Sequence, residues 1–539
     1  MKRQLSLFTL SLAMLTGCGG ATPEAPVTPP KPQYIFIQDI TTSVYAGVYK
    51  SGSDENLIVI DNPLEGETIN YEVVGDSCRI ENGRVIGHRG GTTSVVNVTT
   101  STGRTGSFNI HVTGKNYTST HQTAETSEGW FNSVNIDKVD SMKESFANGI
   151  DISSMKILYD NGQRFYNKDN KETALPWILK DYGVNWVRLR LWHDPKDTYQ
   201  EGGETKYFNY GGGDCTTERM LWVAKECKAA GLKVQLDFHY SDFWTSPGHQ
   251  VIPKAWRNLT TADQFSDAIY NYTKETIEAF TTGGAKPDMV SVGNEITDGL
   301  ILQSSTGSQT EPTGGEPNYV TTKYNLNSSI RGSFTNTSDK NTNANFRKYV
   351  ASGVKAVKDV DRNILTTVHI AKAIYAGKGF IYNFFDCLSD IDIDVYSFSV
   401  YPYYQFDNLS RFTSAMNDIA ARYPNKKMCV GETSYGFTTE KDTNAQNSFD
   451  PANTTKEHPI SGYEVSVQGQ ANIVRDISKV ISDLSNGFGC FYWEGAWVPQ
   501  KFSGWADSLS LVSWANQGFF SYNGKPLGSL EVYNKMLGK

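Results

Sequence analysis

Eight short apolar runs, separated by segments long enough to form helices, recur between residues 149 and 493 of this 539-residue chain. Strands that alternate with helices form parallel sheets, and eight such repeats in one domain predict a (β/α)8 barrel. In that fold, the side chains that act on a ligand lie at the carboxyl ends of the strands. The runs occupy residues 149–152, 184–192, 234–240, 289–295, 364–370, 395–401, 428–432 and 489–493.

Polar side chains are concentrated at the ends of these runs, although a packed barrel interior is apolar. Each polar group buried without a partner would cost about 1–3 kcal/mol, so these groups must bond to one another or to a ligand. Because strand side chains alternate between faces, Arg188 and Arg190 project to one side, as do Asp237 and His239. A structural ion network could explain any one of them, but it explains the whole set poorly. The set comprises Arg188, Arg190, Asp237, His239, Asn294, Glu295, Tyr401, Glu432 and Trp493.

Two of the apolar runs end in a glutamate. Asn294 and Glu295 end the fourth run, and Glu432 ends the seventh. Parallel strands in a barrel bring both carboxylates to the same end of the barrel. A retaining glycosidase needs a proton donor and a nucleophile about 5 Å apart across a sugar bond. The pair therefore predicts an enzyme that hydrolyses glycosides.

Composition narrows the class of ligand. The formal net charge of −8 indicates no basic surface that could neutralise phosphates, so nucleic acid is not the expected partner. The 11 Trp, 29 Tyr and 26 Phe residues suit a neutral polysaccharide, because aromatic rings stack on the C–H faces of sugars. We expect two or three of five tryptophans to contact substrate and the others to pack at the barrel top. The five are Trp192, Trp244, Trp256, Trp493 and Trp497.

The first residues have the pattern of an export signal. Lys2 and Arg3 precede an apolar run over residues 5–15, and Leu15-Thr-Gly-Cys18 resembles the bacterial lipobox, which is cleaved before a cysteine that then carries lipid. We therefore expect residues 1–18 to be a lipoprotein signal and residues 19–33 a tether, with an ordinary signal peptide as the alternative. The protein would be an exported monomer, lipid-anchored at the outer membrane or cell surface.

Six further cysteines follow Cys18, an even number in a compartment that permits disulfides. Cys429 and Cys490 lie in apolar runs and are predicted to be buried thiols. A disulfide between Cys215 and Cys227 stays open.

Residues 34–113 have a different pattern, with short alternating strands predicted at 57–60, 69–74, 94–99 and 107–112. Asn and Gly turns separate these strands, which indicates a β-sandwich. The segment 81–98 resembles the bacterial immunoglobulin-like domain. We expect this domain to be a spacer, followed by a linker over 114–128 and a catalytic domain over 129–539.

Several motifs, in one order over residues 146–530, are similar to those of glycoside hydrolase family 53, the endo-β-1,4-galactanases. They include GVNWVRLRLWHDP, VQLDFHYSDFW, VSVGNEITDGL, VYSFSVYPYY, VGETSYGF and FYWEGAW. The resemblance implies a retaining enzyme that cleaves β-1,4-galactan, the chain of type I arabinogalactan and pectin side chains, and that requires no cofactor for its chemistry. Within the same clan, a mannanase, xylanase or cellulase is the alternative, and a non-catalytic surface glycan-binding lipoprotein is a further one.

The resemblance and the chemistry assign the same roles to the two glutamates. Glu295 would be the general acid/base and Glu432 the nucleophile. Asn294 would hydrogen-bond the sugar 2-hydroxyl, and either Arg188 or Arg190 would keep Glu432 ionised. Two further side chains would have supporting roles. Tyr401 would orient the nucleophile, and His239 would bind sugar or support Glu295; Asp237, Trp244, Trp493 and Trp497 complete the expected substrate-binding or supporting set.

Two segments depart from the family pattern. An insertion over 303–343, rich in Ser, Thr, Asn and Gly, is either a surface excursion or a lengthening of the cleft. The loop over 440–447 resembles a calcium site of bacterial family members, in which oxygen ligands stand at alternate positions. Asp442 and Asn444 keep part of that spacing, so a structural calcium ion is a hypothesis here.

Overall fold

A computed structural model describes most of the chain. The described residues are 33–45, 56–201, 203–209, 214–305, 323–371, 377–405, 408–442, 447–449, 459–500, 503 and 514–539. The predicted signal, its Cys18 and most of the predicted tether lie outside these ranges. Among the described helices, none combines the length and the apolar composition that crossing a membrane requires.

Eight parallel strands form a closed barrel in the order in which they occur along the chain, with the eighth strand paired to the first. This confirms the predicted (β/α)8 architecture, and all eight runs overlap a barrel strand. Several predicted runs extend past the strands, and these extra residues form the rim where the polar side chains lie. The strands, called first to eighth below, are Ala147–Asp151, Trp186–Leu191, Lys233–Phe238, Met289–Val292, Leu365–Ile370, Val395–Ser399, Lys427–Thr433 and Gly487–Tyr492.

Helices lie between and after the barrel strands. The longest described one, Ala262–Thr282, begins at a capping box in which Thr261 Oγ1 accepts from Gln264 N and Gln264 Oε1 accepts from Thr261 N. The other α-helices are Gln122–Ser127, Met155–Asp160, Leu175–Asp181, Thr217–Ala229, Ala344–Val360, Gly377–Cys387, Pro402–Gln405, Leu409–Arg422, Val467–Ser482 and Val532–Met536. Short 3-10 helices cover Lys254–Trp256, Ile296–Asp298, Ala515–Gln517 and Gly528–Glu531.

Three small antiparallel ladders decorate the barrel loops. One joins Lys196–Glu201 to Glu204–Asn209 after the second strand. The other two involve the predicted insertion, in which Gln303–Ser305 pairs with Lys323–Asn325 and Gly332–Ser333 pairs with Gly299–Leu300. The described ends of the insertion are therefore ordered against the loop after the fourth strand.

The N-terminal region is a small β domain. Its four-stranded sheet has the order Ile40–Ser43, Thr105–Thr113, Thr92–Thr100, Ile69–Val74, and a hairpin joins Cys78–Glu81 to Arg84–Gly87. The buried residues Val96, Val98, Phe108, Ile110 and Val112 follow the period of two that alternating strands require.

One predicted strand of this domain is absent. Residues 57–60 make only single bridges, from Leu57 to Arg84 and from Ile60 to Ile37. Asn56 enters this segment with a left-handed backbone, at φ 66°, and Pro63 follows it closely. A left-handed residue interrupts strand geometry, and proline lacks the N–H that a hydrogen bond between strands needs. Asn56 and Pro63 therefore limit any strand to the short segment between them.

Aromatic rings join the small β domain to the barrel helices. Tyr45 contacts Tyr159 and Trp222 edge to face, with ring centroids 5.2 and 5.8 Å apart. His88 stacks on Trp177 at 4.7 Å, and burial, followed by the charges of two neighbouring arginines, lowers the pKa of His88 to about 3. A neutral imidazole can be buried against an indole at little electrostatic cost.

Charged pairs surround this aromatic contact. Arg79 Nη1 donates to Glu226 Oε2 at 2.8 Å, and Arg89 donates to both carboxylate oxygens of Asp181 at 2.6 and 2.8 Å. The Glu226 side chain is only 2% exposed. The β domain therefore supplies the positive partner of a buried barrel carboxylate and is fixed against the barrel; its role as a spacer stays a prediction.

The segment expected to be a linker, residues 114–128, also packs on the barrel. Tyr117 contacts Ser521, and Thr120 N donates to Asn523 Oδ1 at 2.8 Å. All six described cysteines are buried thiols, so Cys215 and Cys227 do not form a disulfide.

Candidate active site

Arg188 is the centre of a buried network at the carboxyl end of the barrel. Its Nη1 donates to Asp151 Oδ2 at 2.8 Å. Its Nη2 lies 2.8 Å from oxygens of Asp237, Asn294 and Glu432. Five barrel strands or the turns that follow them thus share one guanidinium, and its buried charge is tolerated because three carboxylates lie 2.8 Å from its terminal nitrogens.

Glu432, at the end of the seventh strand, contacts two donors. Arg188 Nη2 lies 2.8 Å from Oε1, and the Tyr401 hydroxyl donates to Oε2 at 2.8 Å. Burial raises the pKa of Glu432, whereas Arg188 and then Tyr401 oppose that rise. Burial and the charge of Glu432 also raise the pKa of Tyr401 well above its usual value, so the phenol keeps its hydrogen.

Glu295 faces Glu432 across the cleft. The closest ligand atoms of the two carboxyl groups lie within 4.8 Å of each other, and Ser399 Oγ is 2.5 Å from Glu295 Oε1. Burial and then the negative charge of Glu432 raise the pKa of Glu295 to about 8. Because Arg188 and Tyr401 stabilise the ionised form of Glu432, the proton that the pair holds at neutral pH resides on Glu295.

Three residues that follow barrel strands have left-handed backbones. They are Tyr240, Glu295 and Glu494, with φ of 51°, 48° and 47° after the third, fourth and eighth strands. Such conformations cost about 1–3 kcal/mol each in non-glycine residues and accumulate at functional sites. At Glu295, the turn directs the carboxyl group into the cleft rather than along the strand.

His239 and Asp237 support the network from the third strand. Thr245 N donates to His239 Nδ1 at 3.0 Å, so the ring hydrogen is on Nε2, which lies 3.3 Å from Asp237 Oδ2. Burial lowers the pKa of His239. Although burial acts in the opposite direction, Arg188 and His239 lower the pKa of Asp237 to about 2. Asp237 is therefore an anion that orients one cation and one neutral imidazole.

Arg190 pairs with a different glutamate, Glu494. Its Nη1 lies 2.5 Å from Glu494 Oε1, and its guanidinium carbon is 4.1 Å from the centroid of the Trp244 ring. Burial raises the pKa of Glu494 to about 7, against the opposing effect of Arg190. Of the two arginines suggested by the sequence, Arg188 is the one beside the candidate nucleophile.

The cleft above these groups has a volume of about 240 Å³. Of the five predicted tryptophans, Trp244 and Trp493 line it, and Trp514, which the sequence did not single out, is a third. Trp192, Trp256 and Trp497 are buried, and Trp497 packs on Trp493 with ring centroids 5.8 Å apart. Other lining residues are Arg188, His239, Phe243, Thr245, Ser246, His249, Asn294, Glu295, Tyr401, Tyr403, Tyr404, Glu432 and Gln517.

Sequence reasoning missed four polar residues of the network: Asp151, His369, Ser399 and Glu494. Three of them could have been found by the period of two, since Asp151 and His369 lie near the ends of predicted runs and Ser399 precedes Tyr401 by two residues. Glu494 lies one residue past the eighth run. The face to which its side chain projects depends there on its left-handed backbone, which the period of two does not predict.

Comparison with known proteins identifies the family. A sequence model described as Glycosyl hydrolase family 53 matches residues 147–533. The chain belongs to this family. The predicted family and its glycosidase class are thereby confirmed.

Relatives in family 53 match most of the chain. The Endo-beta-1,4-galactanase of Bacillus subtilis (strain 168) is 32% identical over 430 residues, which cover 74% of this chain and 87% of the relative. The Arabinogalactan endo-beta-1,4-galactanase of Humicola insolens is 28% identical over 399 residues, which cover 72% and 98%.

Solved structures agree with this assignment. The family 53 catalytic domain of Ignisphaera aggregans shares 32% identity at a TM-score of 0.61, over 75% of this chain and 99% of that one. A structure of fungal beta-1,4-galactanases shares 25% identity at a TM-score of 0.53, over 72% and 98%.

Two places in this family 53 protein have donors that could attract a metal. Ligand atoms of Glu295, His369 and Glu432 lie within 4.8 Å of one another, but the Arg188 guanidinium beside Glu432 would repel a cation. In the loop predicted to bind calcium, His121 Nε2 lies 2.9 Å from Asp442 Oδ2. Asn444 lies outside the described residues, so calcium binding there stays a prediction.

Proposed function

We propose that this protein is a retaining endo-β-1,4-galactanase. The observation that carries the proposal is the asymmetry of Glu295 and Glu432: their ligand atoms lie within 4.8 Å of each other, and Glu432 is the one of the two that Arg188 and Tyr401 hold at 2.8 Å. Retaining glycosidases separate their carboxyl groups by about 5–5.5 Å, and inverting ones by about 6.5–9.5 Å to admit a water. The short separation favours direct attack by one carboxylate.

In the first step, a Glu432 carboxylate oxygen attacks the anomeric carbon while Glu295 gives its proton to the departing glycosidic oxygen. A covalent galactosyl-Glu432 ester results. In the second step, Glu295, now ionised, takes a proton from water, which attacks the same carbon and releases Glu432. The raised pKa of Glu295 supports the first role, since a donor must hold its proton at neutral pH.

Asn294 can strengthen both transition states. Its Oδ1 accepts from Arg188, and its Nδ2 donates one hydrogen to the Thr245 carbonyl. A primary amide carries a second N–H, which we assign to the sugar 2-hydroxyl. Arg188 and Tyr401 would hold Glu432 in line for attack, and Asp237 and His239 would keep Arg188 in place.

We assign sugar stacking to Trp244, Trp493 and Trp514, which line the cleft. Galactan as the polymer rests on the relatives named galactanases. Reducing-sugar release from unbranched β-1,4-galactan, mannan, xylan and cellulose tests this choice. Preference for another polymer would keep the mechanism and change the substrate, and no release from any of them would favour the glycan-binding alternative.

The roles of the two glutamates are tested with an aryl galactoside that has a good leaving group. Glu295→Ala should retain its first step on this substrate, because no proton is needed, and azide should rescue turnover with retained configuration. Glu432→Ala, if rescued, should give the inverted product. Glu295→Gln and Glu432→Gln should keep the melting temperature of the parent chain and serve as fold controls. An inverted azide product from Glu295→Ala would exchange the two roles.

We also propose that the chain is exported as a lipoprotein with lipid on Cys18, and that residues 34–113 are an immunoglobulin-like domain. The support for the first is Lys2 and Arg3, the apolar run over 5–15 and the lipobox-like Leu15-Thr-Gly-Cys18. Labelling of expressing bacteria with radioactive palmitate should mark the protein, and Cys18→Ala should abolish the label. Labelling of the variant would overturn the lipid assignment.

A further inference from the structure

A chain of hydrogen bonds connects Asn294 to Glu295 through two side chains that the mechanism above does not use. Asn294 Oδ1 lies 3.1 Å from His369 Nδ1, and His369 Nε2 lies 2.8 Å from Ser399 Oγ. Ser399 Oγ then lies 2.5 Å from Glu295 Oε1, its nearest carboxylate oxygen, compared with 3.5 Å from Glu432 Oε2, which is too long for a good hydroxyl hydrogen bond. The chain runs across the ends of the fourth, fifth and sixth strands, on the side of Glu295 that faces the barrel interior.

The direction of the first bond follows from the partners of Asn294. Its Nδ2 donates to the Thr245 carbonyl at 2.8 Å, and its Oδ1 accepts from Arg188 Nη2 at 2.8 Å. A carbonyl only accepts and a guanidinium only donates, so the orientation of the amide is fixed. Asn294 Oδ1 therefore accepts from His369 as well, and the hydrogen of the imidazole is on Nδ1.

The direction of the second bond follows from the charge of His369. This side chain is buried, and burial followed by the charge of Arg188 lowers the pKa of His369 to about 3. A neutral imidazole with its hydrogen on Nδ1 has a lone pair on Nε2. The Ser399 hydroxyl therefore donates to His369.

The third bond then requires the proton of Glu295. A hydroxyl has one hydrogen, and in this arrangement Ser399 gives it to His369, at 2.8 Å, so Oγ can only accept from Glu295. Only a protonated Glu295 can donate. The bonded chain thus matches the acid form of Glu295.

We propose that Ser399 is a positioning residue whose hydroxyl points to His369 while Glu295 holds its proton and turns to Glu295 when that proton has left. The inference rests on the proposed function, because it assigns the two orientations to the two steps of the retaining mechanism.

The cycle is balanced in atoms and charge. When the Glu295 proton moves to the departing glycosidic oxygen, the Ser399 hydroxyl rotates about its Cβ–Oγ bond and donates to the new carboxylate. When Glu295 takes a proton from the attacking water, the hydroxyl rotates back to His369 Nε2. Ser399 and His369 exchange no proton with the substrate, and no bond to either is broken.

The two residues have opposite effects on the ionisation of Glu295. Ser399 supplies a donor to the ionised form, so its removal should disfavour that form. His369 competes for the same hydrogen, so its removal should favour the ionised form. The charged and titratable groups around this chain, unchanged in the variants below, are Asp151, Arg188, Asp237, His239, Tyr401 and Glu432.

The test compares pH profiles of kcat/KM on unbranched galactan for the full chain and for Ser399→Ala, His369→Phe and the matched control Ser397→Ala. Ser397 lies on the same strand and face, one alternation earlier, and is also buried. The basic limb is the fall in kcat/KM at high pH, where Glu295 loses its proton. It should move to higher pH by about one unit in Ser399→Ala and to lower pH by a similar amount in His369→Phe. It should stay in place in Ser397→Ala.

An aryl galactoside with a good leaving group separates proton transfer from damage to the fold, because its first step needs no proton. On this substrate, kcat/KM of the Ser399→Ala variant should show no basic limb from Glu295, whatever its absolute value. Loosened packing would instead admit water and lower the limb in both site variants. If the basic limbs of Ser399→Ala and His369→Phe move in the same direction, or do not move, the inference is wrong. Hydrolysis of galactan by the parent chain would still uphold the proposed function.

If His369→Phe melts far below the parent chain, the comparison of Ser399→Ala with Ser397→Ala decides. An upward shift in Ser399→Ala alone supports the inference, and equal limbs overturn it. Failure of the parent chain to release sugar from any polymer would count against the proposed function itself.

Discussion

The guanidinium of Arg190 lies against the indole of Trp244, with its central carbon 4.1 Å from the ring centroid. The same group pairs with the buried carboxylate of Glu494. A single cation thus links the eighth strand to an aromatic ring that lines the cleft. Because cation–π contacts strengthen when desolvated, this contact fixes the angle of the ring.

Replacement of Arg190 by Met should therefore affect both stability and binding. The Glu494 carboxylate would lose its cation in the barrel interior, and we expect the free energy of unfolding in urea to fall by about 3–5 kcal/mol. KM on galactan should rise as Trp244 loses its support. The double variant Arg190→Met/Glu494→Gln should recover part of the stability without restoring KM. No recovery would show that the lost packing, rather than the unpaired charge, destabilises the single variant.

The pH dependence of the parent chain should report the protonation of Glu295. Its pKa is raised to about 8, and the acid must be protonated to act, so kcat/KM on galactan should fall as pH rises through about 8. The same limb should be absent from the first step on an aryl galactoside with a good leaving group. A basic limb of equal position on both substrates would assign it to another group.

Loss of the Arg79–Glu226 pair should destabilise the whole chain, although neither residue lines the cleft. Arg79→Ala leaves a buried barrel carboxylate without its donor, at a cost of about 1–3 kcal/mol because the Arg79 side chain is itself 21% exposed. Lys274→Ala, which removes an exposed pair with Glu278 at 3.8 Å, is the control and should change the melting temperature little. Equal melting temperatures for both variants would mean that the Arg79–Glu226 pair adds no stability.

Calcium, if it binds the loop over 440–447, should act on stability alone. A cation that binds only the folded state raises the melting temperature, whereas the two catalytic carboxylates need no Lewis acid. Adding calcium to chelator-treated protein should raise the melting temperature and leave initial rates at mild temperature unchanged. Asp442→Asn should abolish the effect. Immediate loss of activity on chelation would instead indicate a metal at the scissile bond.

The barrel and both glutamates could be predicted from the sequence because each rests on a local pattern. An apolar run predicts a strand, and a carboxylate at its end is directed to the rim. The choice between Arg188 and Arg190 could not be made, since both project to the same face. The choice depends on the position of each arginine along the barrel axis. Arg188 is in register with Gln235, and Arg190 with Asp237, on the neighbouring strand.

Contacts between distant segments were the other limit. The polar flanks of the β domain give no sign that it packs on the barrel, where the pairing of Arg79 with Glu226 joins residues that are 147 positions apart. The loop spacing around Asp442 likewise gives no sign of its contact with His121, which lies in the segment before the barrel. Neither pairing leaves a periodic signal in the sequence.

The stacking of His88 on Trp177 and the paired charges around it have a mechanical consequence. Force applied to the chain at Gln33 reaches the barrel through a rigid interface of aromatic rings and ion pairs rather than through a flexible linker. The β domain and the barrel then move as one rigid unit, and the direction in which the cleft faces is fixed relative to Gln33. Torque at that point would turn the cleft as a unit.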